Sequence, residues 1–232
     1  MRLDKFLSDS TDMSRKDIKQ LIRKKAVTVN GSVITKPETQ VDERDTVTVN
    51  GQAVLYKRFI YLILNKPSGY VSATEDKKYP VVTDLVPEEY RHFDVFPAGR
   101  LDIDTEGLLI LSNDGEFVHG ITSPKKNVYK RYFARLDMPA EEADISVFAD
   151  GMEFKDFTAK PAKLEICDES REAYVEIAEG KFHQVKRMFE RVGKTVVYLK
   201  RVSIGGLTLP QDLALGEVKE IEYDELLNKI YG

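Results

Sequence analysis

Gly99-Arg100-Leu101-Asp102-Ile103-Asp104-Thr105-Glu106-Gly107-Leu108-Leu109-Ile110-Leu111-Ser112-Asn113-Asp114-Gly115 is the stretch from which the rest of the chain is read. It begins as a polar loop, passes into the apolar run 108–111, and stops at an Asn-Asp-Gly turn. A short apolar run bounded by turn residues reads as a buried strand. Asp102 and Asp104, beside Arg100 and Thr105, put a high density of charge next to that strand. A local ion pair in an acidic turn would account for it. So would a reacting carboxylate, because a loop–strand junction holds a side chain more firmly than a free loop does. On an extended run the two acids would face opposite ways, which weakens a hydrolase reading that pairs them as acid and base.

Outward from this loop, strand-like runs recur at 59–64, 132–136, 163–167, 173–177, 196–202 and 218–221. The first of them is stopped by Asn65-Lys66-Pro67-Ser68-Gly69, a turn-forming sequence. Helical patterns are sparse, at 140–149, 183–191 and 223–230. Many strands with few helices predict an α+β domain with a largely antiparallel, mixed sheet and flanking helices. No repeat and no low-complexity tract interrupts it.

Residues 1–58 read differently and form a predicted domain of their own, ending in a short linker; the second domain is 59–232. Leu3, Phe6 and Leu7 share one helical face. Ser14 is a predicted N-cap for a helix in which Ile18, Leu21 and Ile22 form the apolar stripe. Arg15, Lys16, Lys19, Arg23, Lys24 and Lys25 fill the rest, with Asp17 the only acid. Asn30-Gly31 and Asn50-Gly51 each follow a Val-Thr-Val run, the signature of two-residue hairpin turns.

Composition sets outer bounds. The 232 residues are 42% hydrophobic and 32% charged, the balance of an ordinary globular protein. No apolar run reaches the roughly 18 residues a membrane span needs, and the N-terminus lacks the apolar core of a secretory signal. One cysteine and three scattered histidines offer neither a disulfide nor a metal-ligand cluster, so a cytoplasmic, metal-free protein is expected; Rossmann and P-loop glycines are missing too, in keeping with no cofactor, and a monomer is expected. The net charge of −4 argues against a nucleic-acid partner, but residues 1–58 hold twelve Lys/Arg against eight Asp/Glu, which leaves −8 for the remainder. A basic helix nearly free of acids favours a phosphate-binding surface, since its cations gain by displacing condensed counterions.

Met1-Arg2-Leu3-Asp4-Lys5-Phe6-Leu7, Ser14-Arg15 and Val27-Thr28-Val29-Asn30-Gly31 together resemble the S4 (α-L) RNA-binding domain, over about 50 residues. The 99–115 stretch resembles the signature loop of pseudouridine synthases of the RsuA/RluA type, in which the Asp after Arg-Leu is the nucleophile; that position is Asp102 here. Asp104 falls where the pattern is open and receives no role. Three further stretches resemble the same family in the same order. They are Leu64-Asn65-Lys66-Pro67-Ser68-Gly69-Tyr70-Val71, then Ser123-Pro124 with Tyr129-Lys130-Arg131-Tyr132, then Gly180-Lys181-Phe182-His183-Gln184-Val185-Lys186-Arg187-Met188. The S4 domain and the Met-Arg-Leu-Asp-Lys start point to the RsuA branch.

The resemblance implies conversion of a uridine in ribosomal RNA to its C-glycoside isomer, within a pre-ribosomal particle, with uridine 516 of 16S rRNA the first candidate. A relative acting on 23S rRNA, and a non-catalytic S4-type assembly factor, are the alternatives. It implies Asp102 as nucleophile, Tyr132 stacked on an extruded base, and Arg100 filling the vacated space or holding a phosphate. Lys186 or Arg187 would be the cation beside Asp102; many relatives have Arg where this chain has Lys186. His183 reads as a helix cap. RNA contacts are expected from Arg2, Arg15, Lys16, Lys19, Arg23 and Lys24 in the first domain. In the second they are expected from Lys66, Lys130, Lys181 and Arg187, with the basic run Lys125-Lys126 nearby.

Overall fold

A computed structural model describes residues 1–11, 13–54, 56–123 and 126–232. The chain divides into two compact units, Met1–Ile60 with Val86–Asp94, and Tyr61–Leu85 with Val95–Gly232. Val86–Asp94 clusters with the first unit although it lies far along the chain from it; within it, Glu88–Phe93 forms a 3-10 helix.

In the first unit α1 (Leu3–Ser10) buries Leu3, Phe6 and Leu7, the i, i+3, i+4 face of an amphipathic helix. Helix α2 (Arg15–Arg23) starts at Ser14, whose hydroxyl accepts from the Asp17 amide at 3.2 Å. It buries Ile18 and Ile22, while Leu21 is only partly covered. Strands β1 (Val27–Val29) and β2 (Ser32–Val33) turn at Asn30-Gly31, and β3 (Val47–Val49) and β4 (Gln52–Val54) turn at Asn50-Gly51. All four turn residues have positive φ, between 48° and 82°, as the predicted turns require. β1 pairs with β3, giving a four-stranded antiparallel sheet in the order β2-β1-β3-β4.

The second unit is built on a nine-stranded sheet. Its strands are β5 (Tyr61–Lys66), β6 (Phe96–Pro97), β7 (Glu106–Ser112), β8 (Lys130–Leu136), β11 (Lys163–Ile166), β12 (Glu172–Ile177), β13 (Val196–Ile204), β14 (Leu207–Thr208) and β15 (Val218–Glu220). A two-stranded ribbon, β9 (Met152–Glu153) with β10 (Thr158–Ala159), stands apart from it. The sheet order is β11-β12-β8-β13-β7-β5-β15, with β14 on β13 and β6 on β7. Every pairing is antiparallel except β7 with β13, so the sheet is mixed and largely antiparallel, as predicted. Helices α3 (Gly115–Thr122) and α6 (Tyr223–Tyr231) cover it through Phe117, Ile121, Leu226 and Ile230, packed on Ile63, Leu108 and Ile110. Helices α4 (Glu142–Asp150) and α5 (Gln184–Arg191) meet through Phe148 and Phe189, with ring centroids 5.0 Å apart.

Two features depart from the sequence reading, and both matter for the site. Asn113-Asp114-Gly115 is a helix start rather than a simple turn: an Asp114 carboxylate oxygen accepts from the Glu116 and Phe117 amides, each at 3.1 Å, and α3 follows. Strand β5 runs two residues past its predicted end, because Lys66 is still in register with Gly107 of β7. That carries Lys66 into the sheet instead of onto a surface turn.

Candidate active site

Residues 99–105 lie where β7 begins, and three neighbours fix their backbone. The Ser72 hydroxyl, buried, donates to the Leu101 carbonyl and accepts from the Leu101 amide, both at 3.0 Å. The Gly69 amide donates to the Ile103 carbonyl at 2.7 Å. The Lys66 ammonium, on a side chain 0% exposed, donates to the carbonyls of Thr105 (2.8 Å), Pro67 (3.0 Å) and Ile103 (3.3 Å). All of its three protons are thus taken by backbone oxygens. Burial pushes its pKa down to about 8, against the pull of the Asp104, Asp102 and Glu106 carboxylates. Lys66, expected as an RNA contact, has no exposed surface and is an internal clamp instead, because the longer β5 points it beneath the loop. The Lys-Pro-Ser-Gly turn, weak as a sequence signal, is the cradle of the 99–105 loop.

Gly107 makes the junction possible. Its φ is +104°, and an added Cβ would collide with the Arg201 carbonyl oxygen and lie 2.8 Å from the Arg201 nitrogen. Only glycine lets β7 and β13 run parallel at this distance.

Asp102 and Asp104 do not face opposite ways. The Thr105 amide donates to the Asp102 carbonyl at 3.1 Å, which closes a turn and brings both carboxylates to one cation. Lys186 Nζ lies 3.1 Å from Asp102 Oδ2 and 2.6 Å from Asp104 Oδ1. Strict alternation belongs to extended strands, and these residues are in a turn. Partial burial pushes the Asp104 carboxyl up, but the Lys186 hydrogen bond and charge outweigh it and hold it below the usual carboxylate range. Burial lowers and the two carboxylates raise the Lys186 pKa, with a net rise, so Lys186 is charged throughout the physiological range. Of the two cations considered for Asp102, Lys186 is the one in contact. Arg187 turns away to Asp156, with bonds of 2.5 and 3.0 Å, and lies over the Phe154 and Phe157 rings. Its charge is paired within the protein, and the partner Asp156 is largely exposed.

His183 occupies the N-cap position of α5 in the left-handed region (φ 51°), but its ring makes no capping bond. Gln184 holds the helix start instead, accepting from the Lys181 amide at 3.0 Å. The His183 ring stacks on Phe182 and its Nε2 is 3.7 Å from Asp102 Oδ1, so the imidazole borders the site. Lys194, part of the same basic stretch, is buried against Asp144 at 2.8 Å.

Tyr132, buried on β8, and Arg100, exposed, line one cleft with Asp102, Lys181, His183 and Leu199. Strands β8 and β13 place Tyr132 opposite Arg201. Lys130 is half-buried and donates to the Val128 carbonyl at 2.6 Å and the Ile121 carbonyl at 3.2 Å. Pro124 and Lys125 lie outside the described residues. In the first unit Arg15, Lys16, Lys19, Arg23 and Lys24 are all exposed, and among the described residues none is in an ion pair, whereas Arg2 is held by Asp4 through bonds of 2.8 and 2.9 Å. Sequence reasoning missed Ser72, Asp104 and Arg201; hydroxyls and charges of this kind acquire a role only when the sheet brings distant strands together.

Comparison with known proteins gives the family. Residues 60–191 match the family described as RNA pseudouridylate synthase, and residues 1–47 match the S4 domain. The chain is 45% identical over 231 residues to an uncharacterized RNA pseudouridine synthase, YtzG, of Bacillus subtilis, covering 97% of each. It is 38% identical over 234 residues to ribosomal small subunit pseudouridine synthase A of Escherichia coli, covering 99% of this chain and 100% of that one. A solved structure described as a pseudouridylate synthase superposes with a TM-score of 0.69 at 35% identity, covering 99% of both chains. The chain belongs to the RsuA branch of the RNA pseudouridine synthase family, with an S4 domain ahead of its catalytic unit.

Proposed function

We propose that this enzyme isomerises one uridine of ribosomal RNA to pseudouridine, with Asp102 as the nucleophile and uridine 516 of 16S rRNA as the first target to test. The relatives named for the ribosomal small subunit support the choice of 16S over 23S rRNA. The observation that carries the role of Asp102 is its carboxylate, 24% exposed, in a cleft beside Lys186 at 3.1 Å, on a loop clamped by Ser72 and Lys66. A carboxylate so held is oriented and open to a ligand, as a nucleophile has to be.

The reaction breaks the N1–C1′ bond, turns the uracil and joins C5 to C1′, with loss of the C5 proton, gain of a proton at N1 and no net redox change. In this reading the uridine leaves its stack and enters the Asp102 cleft, at a cost of a few kcal/mol. Stacking on Tyr132 would return roughly 1–3 kcal/mol. Arg100, exposed at the rim, fills the gap in the RNA or meets a phosphate. Lys186 stabilises the carboxylate before attack and after its release. The exposed cations of α2 bind the RNA backbone. We further place the enzyme in the cytoplasm, as a monomer acting on a pre-ribosomal particle.

The test is Asp102→Asn assayed on rRNA transcripts and assembling subunits by carbodiimide primer extension. The variant should bind RNA as the wild type does and form no pseudouridine. Pseudouridine formed by the variant overturns the role of Asp102. Absence of any pseudouridine with the wild type supports the non-catalytic assembly factor, and a signal in 23S rRNA moves the target.

A further inference from the structure

A second cavity, of ≈ 240 Å³, adjoins the Asp102 cleft and shares Arg100, Tyr132, Gly180 and Lys181 with it. Its apolar wall is made by Ala98, Ile121 and Ile204. Its charged groups are Arg100, Lys130, Lys181 and Arg201 against one acid, Glu179.

Arg201 is the unusual member. It is 3% exposed, its Nε donates to the Leu108 carbonyl at 2.7 Å, and its Nη2 has no hydrogen-bond partner. A buried charged donor left without an acceptor is costly. Lys130 spends two of its protons on the Val128 and Ile121 carbonyls, which leaves the third. Burial first, and the Arg201 charge second, push the Lys130 pKa down to about 8. Two neighbouring cations therefore destabilise one another. Glu179 is the cavity's one carboxylate; its Oε1 accepts from the Lys160 amide at 2.9 Å and from Gln184 at 3.2 Å, and among the described residues it forms no ion pair with Lys130 or Arg201. The cavity thus gathers four cations against one carboxylate, with room for a tetrahedral oxyanion.

We propose that this cavity is a phosphate subsite, in which Arg201 and Lys130 receive an RNA backbone phosphate next to the nucleotide at Asp102. The inference rests on the reading of the Asp102 cleft given above. A guanidinium already held by the Leu108 carbonyl has little freedom left to lose, and its unpaired Nη2 would gain the acceptor it lacks from a phosphate oxygen once the buried wall yields slightly. Arg201 is then a positioning residue: it sets where the sugar of the extruded nucleotide stops relative to Asp102. The shared chemistry is a phosphate, from RNA or from a free anion, and the inference commits to RNA.

The full chain is titrated with inorganic phosphate, followed by calorimetry and by the arginine Nε–Hε resonances. Phosphate should bind and move the Arg201 resonance. Arg201→Gln should weaken binding by about tenfold or more, the loss of a charge-assisted bond. Lys130→Gln should weaken it as well, and it keeps the test valid if the Arg201 variant does not fold. An rRNA transcript should displace the phosphate from the wild type. No phosphate binding, binding unchanged in every folded variant, or phosphate that rRNA fails to displace would each overturn the subsite. Asp102→Asn should leave phosphate binding unchanged, so failure of the nucleophile assignment and failure of the subsite are separate results.

Discussion

Lys186 Nζ lies 3.1 Å from Asp102 Oδ2, and this pairing joins α5 to the turn that opens β7, 84 positions earlier in the chain. The same ammonium is closer to Asp104, at 2.6 Å. A lysine shared by two carboxylates is charged, fixed in direction and only partly neutralised by either.

Lys186→Met should therefore slow the reaction without abolishing RNA binding. A charge-assisted hydrogen bond contributes about 1.5–3 kcal/mol, which corresponds to a fall in kcat of about 10- to 150-fold. Lys186→Arg should restore part of it. Single-turnover rates with saturating and limiting RNA separate this from a binding defect; a change confined to KM would refute it.

Asp104→Asn tests the shared cation. Because the Asp104 pKa is held below the ordinary value near 3.9, its stabilising contribution is present above that value and is lost as pH falls through the lower folded one. The pair is largely exposed on the Asp104 side, so the expected loss is small, about 0.2–1 kcal/mol. The difference in Tm between wild type and variant should be present at pH 6 and shrink towards pH 3. A difference that grows on acidification would contradict the sign. The variant also removes one of the two carboxylates that raise the Lys186 pKa, so any alkaline limb in kcat set by Lys186 should move to lower pH.

Lys66→Met keeps the volume of the buried stem and leaves the Pro67, Ile103 and Thr105 carbonyls without their donor. Each unsatisfied buried group costs about 1–3 kcal/mol, offset in part by no longer burying an ammonium. Urea unfolding should show a net loss, and kcat should fall together with it because the 99–105 loop loses its clamp. Unchanged stability and a raised KM for RNA would return Lys66 to the role of a surface phosphate ligand.

Gly107→Ala should be among the most damaging single-methyl additions in the chain. The positive φ alone costs roughly 1–2 kcal/mol for an alanine, and the collision with the Arg201 backbone requires β7 and β13 to separate. A loss of about 2 kcal/mol or more is expected from the shift of the urea midpoint, at unchanged m.

The exposed face of α2 makes a prediction about salt. Replacing Arg15, Lys16 and Lys19 with Gln should weaken RNA binding. It should also flatten the plot of log K against log salt by about 0.7–0.9 for each phosphate that the helix no longer neutralises. An unaltered slope would mean that this face does not meet the backbone.

The sequence carried most of the local structure. Ile18 and Ile22, spaced one helical turn apart, and the Asn-Gly pairs at 30–31 and 50–51 are decided by neighbours within a few residues. Asp102 is legible for a similar reason: the 99–115 stretch is continuous, so its polar-to-apolar change and its resemblance to a family loop are visible without a fold. By contrast Asn113-Asp114-Gly115 is ambiguous in sequence, because a turn and a helix N-cap use the same residues and only α3, packed on the sheet, decides between them.

What tertiary structure alone decided was the company each charge keeps. Sequence sets Lys186 with the catalytic residues and Arg187 with the RNA contacts but leaves open which of them pairs with Asp102; the packing of α5 sends Lys186 to Asp102 and Arg187 to Asp156. Sequence reads Lys66 as surface and gives Asp104 and Arg201 no part, yet the first is buried beneath the loop, the second holds Lys186, and the third lines a cavity with a buried Nη2 that has no hydrogen-bond partner. Hydrophobic period and turn chemistry act over a few residues and are written locally. Electrostatic partnership depends on distance in space, and β5, β7, β13 and α5 had to be assembled before any of these distances existed.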